Sequence, residues 1–178
     1  ILVTDNISQT GLQPLRKNDH FELVEINDSS STDFFDALTN ADGLVVRSAT
    51  KVGPDMLAGA LNLKVVGRAG VGVDNIDLDA ATERGIAVLN APEGNTVSAA
   101  ELTLALMLSV VRRVPGADAS VRRGEWDRGR FKGAELRGRT LGLVGAGRVG
   151  REVAQRCRAF GMRVVVHDPY LTDERAKE

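Results

Sequence analysis

A glycine-rich segment between two hydrophobic runs constrains the fold of this 178-residue chain more than any other feature. Residues 145–150 read Gly-Ala-Gly-Arg-Val-Gly, and the aliphatic run Thr140–Val144 before them predicts a strand. A helix is predicted after the glycines, and a second strand, Arg163–Val166, then leads to Asp168. Because an acid follows the glycines by about twenty residues in this strand-turn-helix-strand order, the pattern predicts a nucleotide-binding βαβ unit.

Each residue type in this segment answers a physical need. Gly145 permits a tight turn, Gly147 lets a pyrophosphate approach the backbone, and Gly150 lets the helix pack close to the sheet. The N–H groups at the helix N-terminus can then bind phosphates. Asp168 would accept hydrogen bonds from an adenosine ribose and repel a 2′-phosphate, and no arginine immediately follows it, which favours NAD over NADP. As an alternative, the glycines could serve packing alone. His167 could be a catalytic base, but we interpret it as a strand residue.

Short hydrophobic runs alternate with helix-like segments through the first ninety or so residues. The predicted strands are Ile1–Thr4, Phe21–Ile26, Gly43–Arg47, Lys64–Arg68 and Ile86–Leu89. Strand-helix alternation predicts an α/β fold with a parallel, doubly wound sheet.

The formal charge changes sign along the chain. Residues 1–93 contain seven basic and fourteen acidic side chains, whereas residues 94–178 contain sixteen basic and ten acidic ones. This change predicts two domains, 1–93 and 94–178. The second contains two predicted strands after the boundary, whereas a dinucleotide-binding domain has about six. We therefore expect the second domain to be truncated.

Residues 96–113 predict one long helix, capped by Thr96 or Ser98. Its residues are apolar on nearly every side, which predicts burial in the centre of a domain core or, alternatively, cover by a second subunit. The segment 117–139 that follows is rich in arginine and contains Trp126. Basic residues with aromatics can indicate nucleic-acid binding, but interspersed acids favour a solvated or subunit-contacting arm.

Composition limits the compartment and the ligands. The longest apolar stretch, Leu102–Val111, is shorter than the roughly 18–20 residues that span a bilayer, so no membrane segment is predicted. The single cysteine, Cys157, cannot form an intrachain disulfide, which favours the cytoplasm. No metal site is identified.

Two arginines lie at the carboxyl ends of predicted strands, where doubly wound folds bind ligands. Arg47 is followed by Ser48, and Arg68 is followed by the glycine-rich turn 69–75. Two guanidinium groups beside small residues suit a ligand with a carboxylate or phosphate. Surface ion pairs are the alternative interpretation of each arginine.

Several segments together resemble a known family. They are Arg47–Thr50, Gly67–Asn75, Ser98–Thr103, Leu136–Gly142 and the glycine pattern 145–150. Their order and spacing resemble the NAD-dependent D-2-hydroxyacid dehydrogenase family, and its 3-phosphoglycerate-oxidising subgroup most. The resemblance implies a flavodoxin-like substrate-binding domain at 1–93 and the first part of a Rossmann NAD-binding domain at 94–178, with the active site in a cleft between them.

The resemblance also implies residue roles on the substrate side. Arg47, Ser48 and Arg68 would hold a small anionic 2-hydroxy acid. Ala69 and Gly70 would contribute backbone N–H groups to it.

Further roles are implied for cofactor binding. Val71, where other members can carry threonine, would lie near the nicotinamide. Arg148 and Val149 would contact the pyrophosphate through their backbone, with Gly145, Gly147 and Gly150 around it, and Asp168 would bind the ribose.

The function implied is transfer of a hydride between NAD and 3-phospho-D-glycerate, which yields 3-phosphohydroxypyruvate for serine biosynthesis. The family draws its catalytic histidine and glutamate from later strands, so no catalytic residue is assigned within these 178 residues. The alternative is a non-catalytic NAD-sensing module of the same fold, similar to a corepressor. A homo-oligomer, a dimer or higher, formed through the 96–139 region is expected.

Overall fold

The structure is a computed structural model that describes residues 1–172. The chain divides after Gly94 into two compact units. Residues 173–178, the end of the predicted second domain, lie outside the described part.

Five parallel strands form the sheet of the first unit. They are β1 (Leu2–Val3), β2 (Val24–Glu25), β3 (Gly43–Val46), β4 (Val65–Arg68) and β5 (Ala87–Asn90). All five predicted strands are present, each shortened or shifted at its ends. The order β2-β1-β3-β4-β5 is the flavodoxin-like order, so the predicted fold class is confirmed.

Four helices lie between these strands: α1 (Gln9–Arg16), α2 (Thr32–Asn40), α3 (Pro54–Gly59) and α4 (Leu78–Glu83). The sequence explains their starts. The Ser31 side chain accepts a hydrogen bond from the Phe34 N–H at 3.2 Å, and Pro54 occupies the first turn of α3.

The core of the first unit lies where these helices pack on the sheet. Its largest fully buried side chains include Phe34, Leu38, Leu44, Leu57 and Val66. The central strands β3 and β4 carry β-branched and aliphatic residues because helices cover them. The packed sheet holds the strand ends, and therefore the segments that follow them, in fixed positions.

The second unit contains three helices and a parallel strand pair among its described residues. They are α5 (Thr96–Val111), α6 (Val114–Arg122), β6 (Thr140–Val144), α7 (Arg148–Ala159) and β7 (Arg163–His167). A small core of Ala100, Leu104, Val153 and Cys157 joins α5 to α7. Within residues 1–172, no helix is both long and apolar enough to cross a membrane.

Two expectations for α5 are wrong. The N-cap is Asn95 rather than Thr96 or Ser98, and no side chain caps the helix; the Ser98 hydroxyl instead donates to the Asn95 carbonyl at 3.1 Å. Within this chain only Ala100 and Leu104 of α5 are buried, so the helix is not central to the core of this unit, and cover by a second subunit, the alternative given above, stays a prediction. Apolar composition shows that a helix can be buried, but the neighbours available decide which of its faces are.

Candidate functional site

The carboxyl edge of the first sheet brings the two predicted arginines onto adjacent strands. Arg47 directly follows β3, and Arg68 ends β4 with Val46 as its neighbour in register. The Arg47 side chain is exposed and Arg68 is half-buried. Neither forms an ion pair with a carboxylate among residues 1–172, so the surface ion pairs considered above are not observed.

The Arg68 guanidinium lies over the glycine turn. A Cβ on Gly70 would approach Arg68 Nη1 to 2.2 Å and Cζ to 2.7 Å. The Arg68 Nε atom is buried and has no hydrogen-bond partner among the described residues. The missing side chain at position 70 therefore makes room for a guanidinium that still has a donor available for an anion.

Backbone N–H groups of the same turn are already engaged. The Ala69 N–H donates to the Val46 carbonyl and the Gly70 N–H to the Arg68 carbonyl, both at 2.8 Å. The structure therefore does not leave these two groups for a ligand, contrary to the expectation from sequence. Contact of Ala69 and Gly70 with a substrate stays a prediction.

One side-chain and one backbone hydrogen bond hold the rest of the turn. The Val71 carbonyl accepts from Asn90 Nδ2 at 2.6 Å, and the Gly70 carbonyl accepts from the Ala91 N–H at 2.9 Å. These bonds fix Val71 against the end of β5. Its predicted place near a nicotinamide stays a prediction.

The three glycines of the second unit have separate structural roles. Gly145 has φ 94°, a left-handed conformation that strains other residues. A Cβ on Gly150 would lie 2.4 Å from the Gly145 carbonyl oxygen, so α7 could not pack as it does. A Cβ on Gly147 would have no atom within 4 Å. Backbone conformation explains Gly145 and close packing explains Gly150, whereas Gly147 faces open space.

The N-terminus of α7 has no side-chain cap. Gly147 is the N-cap residue, and Arg148, Val149 and Gly150 form the first turn. Their N–H groups carry the positive end of the helix dipole. Beside the open space at Gly147, this arrangement can bind phosphate groups.

Asp168 lies just after β7, at the carboxyl edge of the β6–β7 sheet. Its carboxylate accepts hydrogen bonds from the Ala146 N–H at 2.6 Å and the Tyr170 N–H at 2.8 Å. These bonds, the Ala146 bond above all, lower the pKa of Asp168, which keeps it ionised at neutral pH.

A nearby cation was missed from the sequence. No arginine follows Asp168 directly, but Arg151 Nε donates to the Ala146 carbonyl at 3.1 Å, and its charge also lowers the pKa of Asp168. The signal was present, because Arg151 lies four residues after Gly147 on the first turns of α7.

The two histidines lie one in each unit. His167 is the last residue of β7, as predicted from the sequence, and its carbonyl accepts from the Gly145 N–H at 2.8 Å. His20 is exposed on a turn. Among residues 1–172, no cluster of histidine, cysteine and carboxylate side chains could hold a metal ion.

Comparison with known proteins agrees with this geometry. The family model for the D-isomer specific 2-hydroxyacid dehydrogenase catalytic domain matches residues 1–177. The chain belongs to this family. The resemblance recognised from the sequence is thereby confirmed.

Within this dehydrogenase family, D-3-phosphoglycerate dehydrogenase of Bacillus subtilis (strain 168) is 54% identical over 178 residues. The alignment covers 100% of this chain and 33% of the relative. The chain thus spans about a third of the length of the curated relatives it matches.

Solved structures of other members share the fold. D-lactate dehydrogenase from Aquifex aeolicus, complexed with NAD and lactic acid, matches with a TM-score of 0.86 at 27% identity, covering 99% of this chain and 54% of that one. NAD-bound 3-phosphoglycerate dehydrogenase from Entamoeba histolytica matches with a TM-score of 0.76 at 28% identity, covering 98% and 55%.

Proposed function

We propose that the intact protein is an NAD-dependent oxidoreductase that oxidises 3-phospho-D-glycerate to 3-phosphohydroxypyruvate, a step of serine biosynthesis. The observation that carries this proposal is a pair of arginines at the carboxyl edge of the first sheet that have no ion-pair partner among residues 1–172. The names of the relatives that match the whole chain at 44–54% identity support the same substrate.

On the substrate side, Arg47 and Arg68 suit a molecule with two anionic groups. A guanidinium binds a carboxylate or a phosphate through paired hydrogen bonds, and 3-phosphoglycerate carries one of each. The buried Arg68 Nε has no hydrogen-bond partner within the described part of the chain, and Ser48 is exposed beside Arg47. These three residues form the proposed substrate-binding set, and the turn at Ala69 and Gly70 leaves room for the Arg68 guanidinium.

On the cofactor side, the second unit fits NAD. The open space at Gly147 admits a pyrophosphate, the uncapped start of α7 supplies N–H groups to it, and ionised Asp168 accepts from ribose hydroxyls. NAD, when bound, accepts the hydride of the substrate carbon. The chain's own residues bind and orient the two reactants, and we assign no catalytic residue among its 178.

Kinetics of the intact protein test the proposal. Turnover is measured with 3-phosphoglycerate, D-glycerate and D-lactate, each with NAD. We expect the highest kcat/KM for 3-phosphoglycerate, and for Arg47→Ala and Arg68→Ala a rise in its KM of about tenfold or more, since each removes a charged hydrogen bond.

Lys64→Ala is the matched control. Lys64 directly precedes β4, so it lies at the opposite end of the strand from Arg68, and it pairs with Asp42 at 2.7 Å. Its loss should leave KM unchanged. A preference for an unphosphorylated acid contradicts the substrate assignment, and NAD binding without turnover of any acid indicates the corepressor-like module instead.

We also propose a homo-oligomer formed through the 96–139 region. Leu102, Leu106 and Val110 recur every four residues on α5 and are 60%, 58% and 75% exposed within this chain, and Trp126 is 78% exposed. An apolar stripe of this kind is typical of a covered surface.

Sedimentation of Leu106→Glu in the intact protein tests this interface, with Leu61→Glu, also an exposed leucine but in the first unit, as the control. We expect only Leu106→Glu to lower the mass of the particle. An unchanged mass means that other parts of the intact chain cover the stripe.

The lone Cys157 is buried and unpaired, which supports a reducing compartment such as the cytoplasm.

A further inference from the structure

The segment 47–50, which follows β3, is held at both ends by side chains from elsewhere in the first unit. Asp5 follows β1, and Asn75 is the last residue of the glycine-rich turn 69–75 after β4. We call Asp5 and Asn75 the loop clamp. Neither residue is among the proposed ligands of the substrate.

Asp5 binds the backbone donors of the segment. Its Oδ2 accepts from the Arg47 N–H at 2.7 Å and the Thr50 N–H at 3.2 Å, and its Oδ1 accepts from the Thr50 hydroxyl at 2.7 Å. Asp5 adopts φ 63°, a left-handed conformation that costs free energy in residues other than glycine. Such strain persists where surrounding contacts require one geometry.

Asn75 binds the matching acceptors. Its Nδ2 donates to the Arg47 carbonyl at 2.8 Å and the Thr50 carbonyl at 2.7 Å. Arg47 and Thr50 therefore each give their N–H to Asp5 and their carbonyl to Asn75. The backbone at both ends of the segment is fixed without any strand or helix pairing.

The two residues between the clamped ends face outward. Ser48 and Ala49 are exposed, whereas Thr50 is buried at 1% exposure and anchors the segment. No acceptor for the N–H groups of Ser48 and Ala49 lies among the described residues 1–172. The clamp thus presents two free backbone donors and the Arg47 side chain in one rigid arrangement.

We propose that Asp5 and Asn75 are positioning residues for substrate binding, which act by holding the segment 47–50 in the conformation that receives an anionic group. The inference rests on the proposed function, since it takes Arg47 and Ser48 as substrate ligands. A segment ordered before the ligand arrives binds it more tightly, because less conformational entropy is lost on binding.

Substitutions at Asp5 in the intact protein test the clamp. Asp5→Gly removes the carboxylate and relieves the backbone strain, so any loss comes from the missing hydrogen bonds. Asp5→Asn keeps an acceptor oxygen and tolerates the left-handed conformation, so it should rescue. We expect Asp5→Gly to raise the KM for 3-phosphoglycerate about tenfold or more, with kcat and the KM for NAD little changed, and Asp5→Asn to stay near wild type.

Asp28→Gly is the matched control, because that carboxylate also accepts from a nearby backbone N–H and hydroxyl, those of Ser30, at 2.9 Å and 2.6 Å, away from the segment. It should leave the KM unchanged. Should Asp5→Gly fail to fold, Thr50→Val removes one of the three bonds to Asp5 while keeping the side-chain shape, and a smaller rise in KM is expected; an unchanged KM in this variant then counts against the clamp.

Arg47→Ala, measured in parallel, separates the two ideas. A raised KM in Arg47→Ala with an unchanged KM in folded Asp5→Gly overturns the clamp and leaves the proposed function standing. An unchanged KM in both overturns the clamp together with the substrate role of the segment. A raised KM in Asp5→Gly alone supports the clamp and shows that the backbone donors, rather than Arg47, bind the substrate.

Discussion

In the glycine-rich segment 145–150, the substitutions Gly147→Ala and Gly150→Ala should separate the effect of ligand binding from the effect of packing. The two residues lie three apart, and both fit the same sequence pattern. A methyl group on Gly150 would lie 2.4 Å from the Gly145 carbonyl oxygen, whereas one on Gly147 would have no atom within 4 Å. We therefore expect Gly150→Ala to lower the stability of the fold and Gly147→Ala to lower the affinity for NAD.

The magnitudes follow from these distances. Protein Cβ atoms essentially never approach closer than 3.0 Å, so Gly150→Ala must displace α7 or the turn by several tenths of an ångström. Overpacking of this kind costs about 1–3 kcal/mol. Gly147 has φ −65°, which alanine adopts freely, so Gly147→Ala should change stability by less than about 0.5 kcal/mol. Its methyl group would instead meet a bound pyrophosphate, with a loss of NAD affinity of about tenfold or more.

Calorimetry of the intact protein measures both effects. Scanning calorimetry should show a fall in Tm for Gly150→Ala of about 2–4 °C per kcal/mol, and titration should show the affinity loss for Gly147→Ala with its Tm unchanged. Gly142→Ala in β6, where a Cβ also has no atom within 4 Å, is the control for both. Full NAD affinity in Gly147→Ala would refute the reasoning, as would equal Tm values for the two variants.

Three further outcomes follow from the structure. Asp168→Ala should narrow the gap between NAD and NADP affinity by about tenfold, because Arg151 remains beside the site, and adding Arg151→Ala should reverse the gain for NADP in a binding titration. Leu57→Ala, at a fully buried position, should cost about 2–5 kcal/mol in urea unfolding, whereas Leu61→Ala at an exposed one should cost little. The pKa of Glu125 is lowered from 4.5 to about 2 by hydrogen bonds from the Arg123 and Ser120 side chains. The ionised Glu125 therefore stabilises the folded state fully above pH 4.5, and this contribution is lost as the pH falls toward 2. The Tm difference between wild type and Glu125→Gln should shrink over that range, and a constant difference would contradict this prediction.

Local patterns predicted the elements of both units well. Strand β6 has the predicted bounds Thr140–Val144, because hydrophobic runs act on neighbours in the chain. The left-handed Gly145 and the close approach at Gly150 also agree with the roles inferred from spacing alone.

Contacts between distant segments could not be predicted from the sequence. The sequence did not predict which face of α5 is exposed, because a uniformly apolar helix carries no periodicity that distinguishes its faces. Ala69 and Gly70 were expected to offer free N–H groups, but the fold of the turn uses both internally.

The sequence by itself determined the strand-helix order, the glycine turn, and the presence of arginines at two strand ends, since each depends on residues near one another in the chain. Only the tertiary structure decided which of these groups meet. Asp5 reaches Arg47 and Thr50 across 42 and 45 residues, and Asp168 reaches Ala146 across 22. Such pairs form because parallel strands bring their carboxyl ends to one edge, and that juxtaposition depends on the packing of the whole sheet rather than on any local pattern.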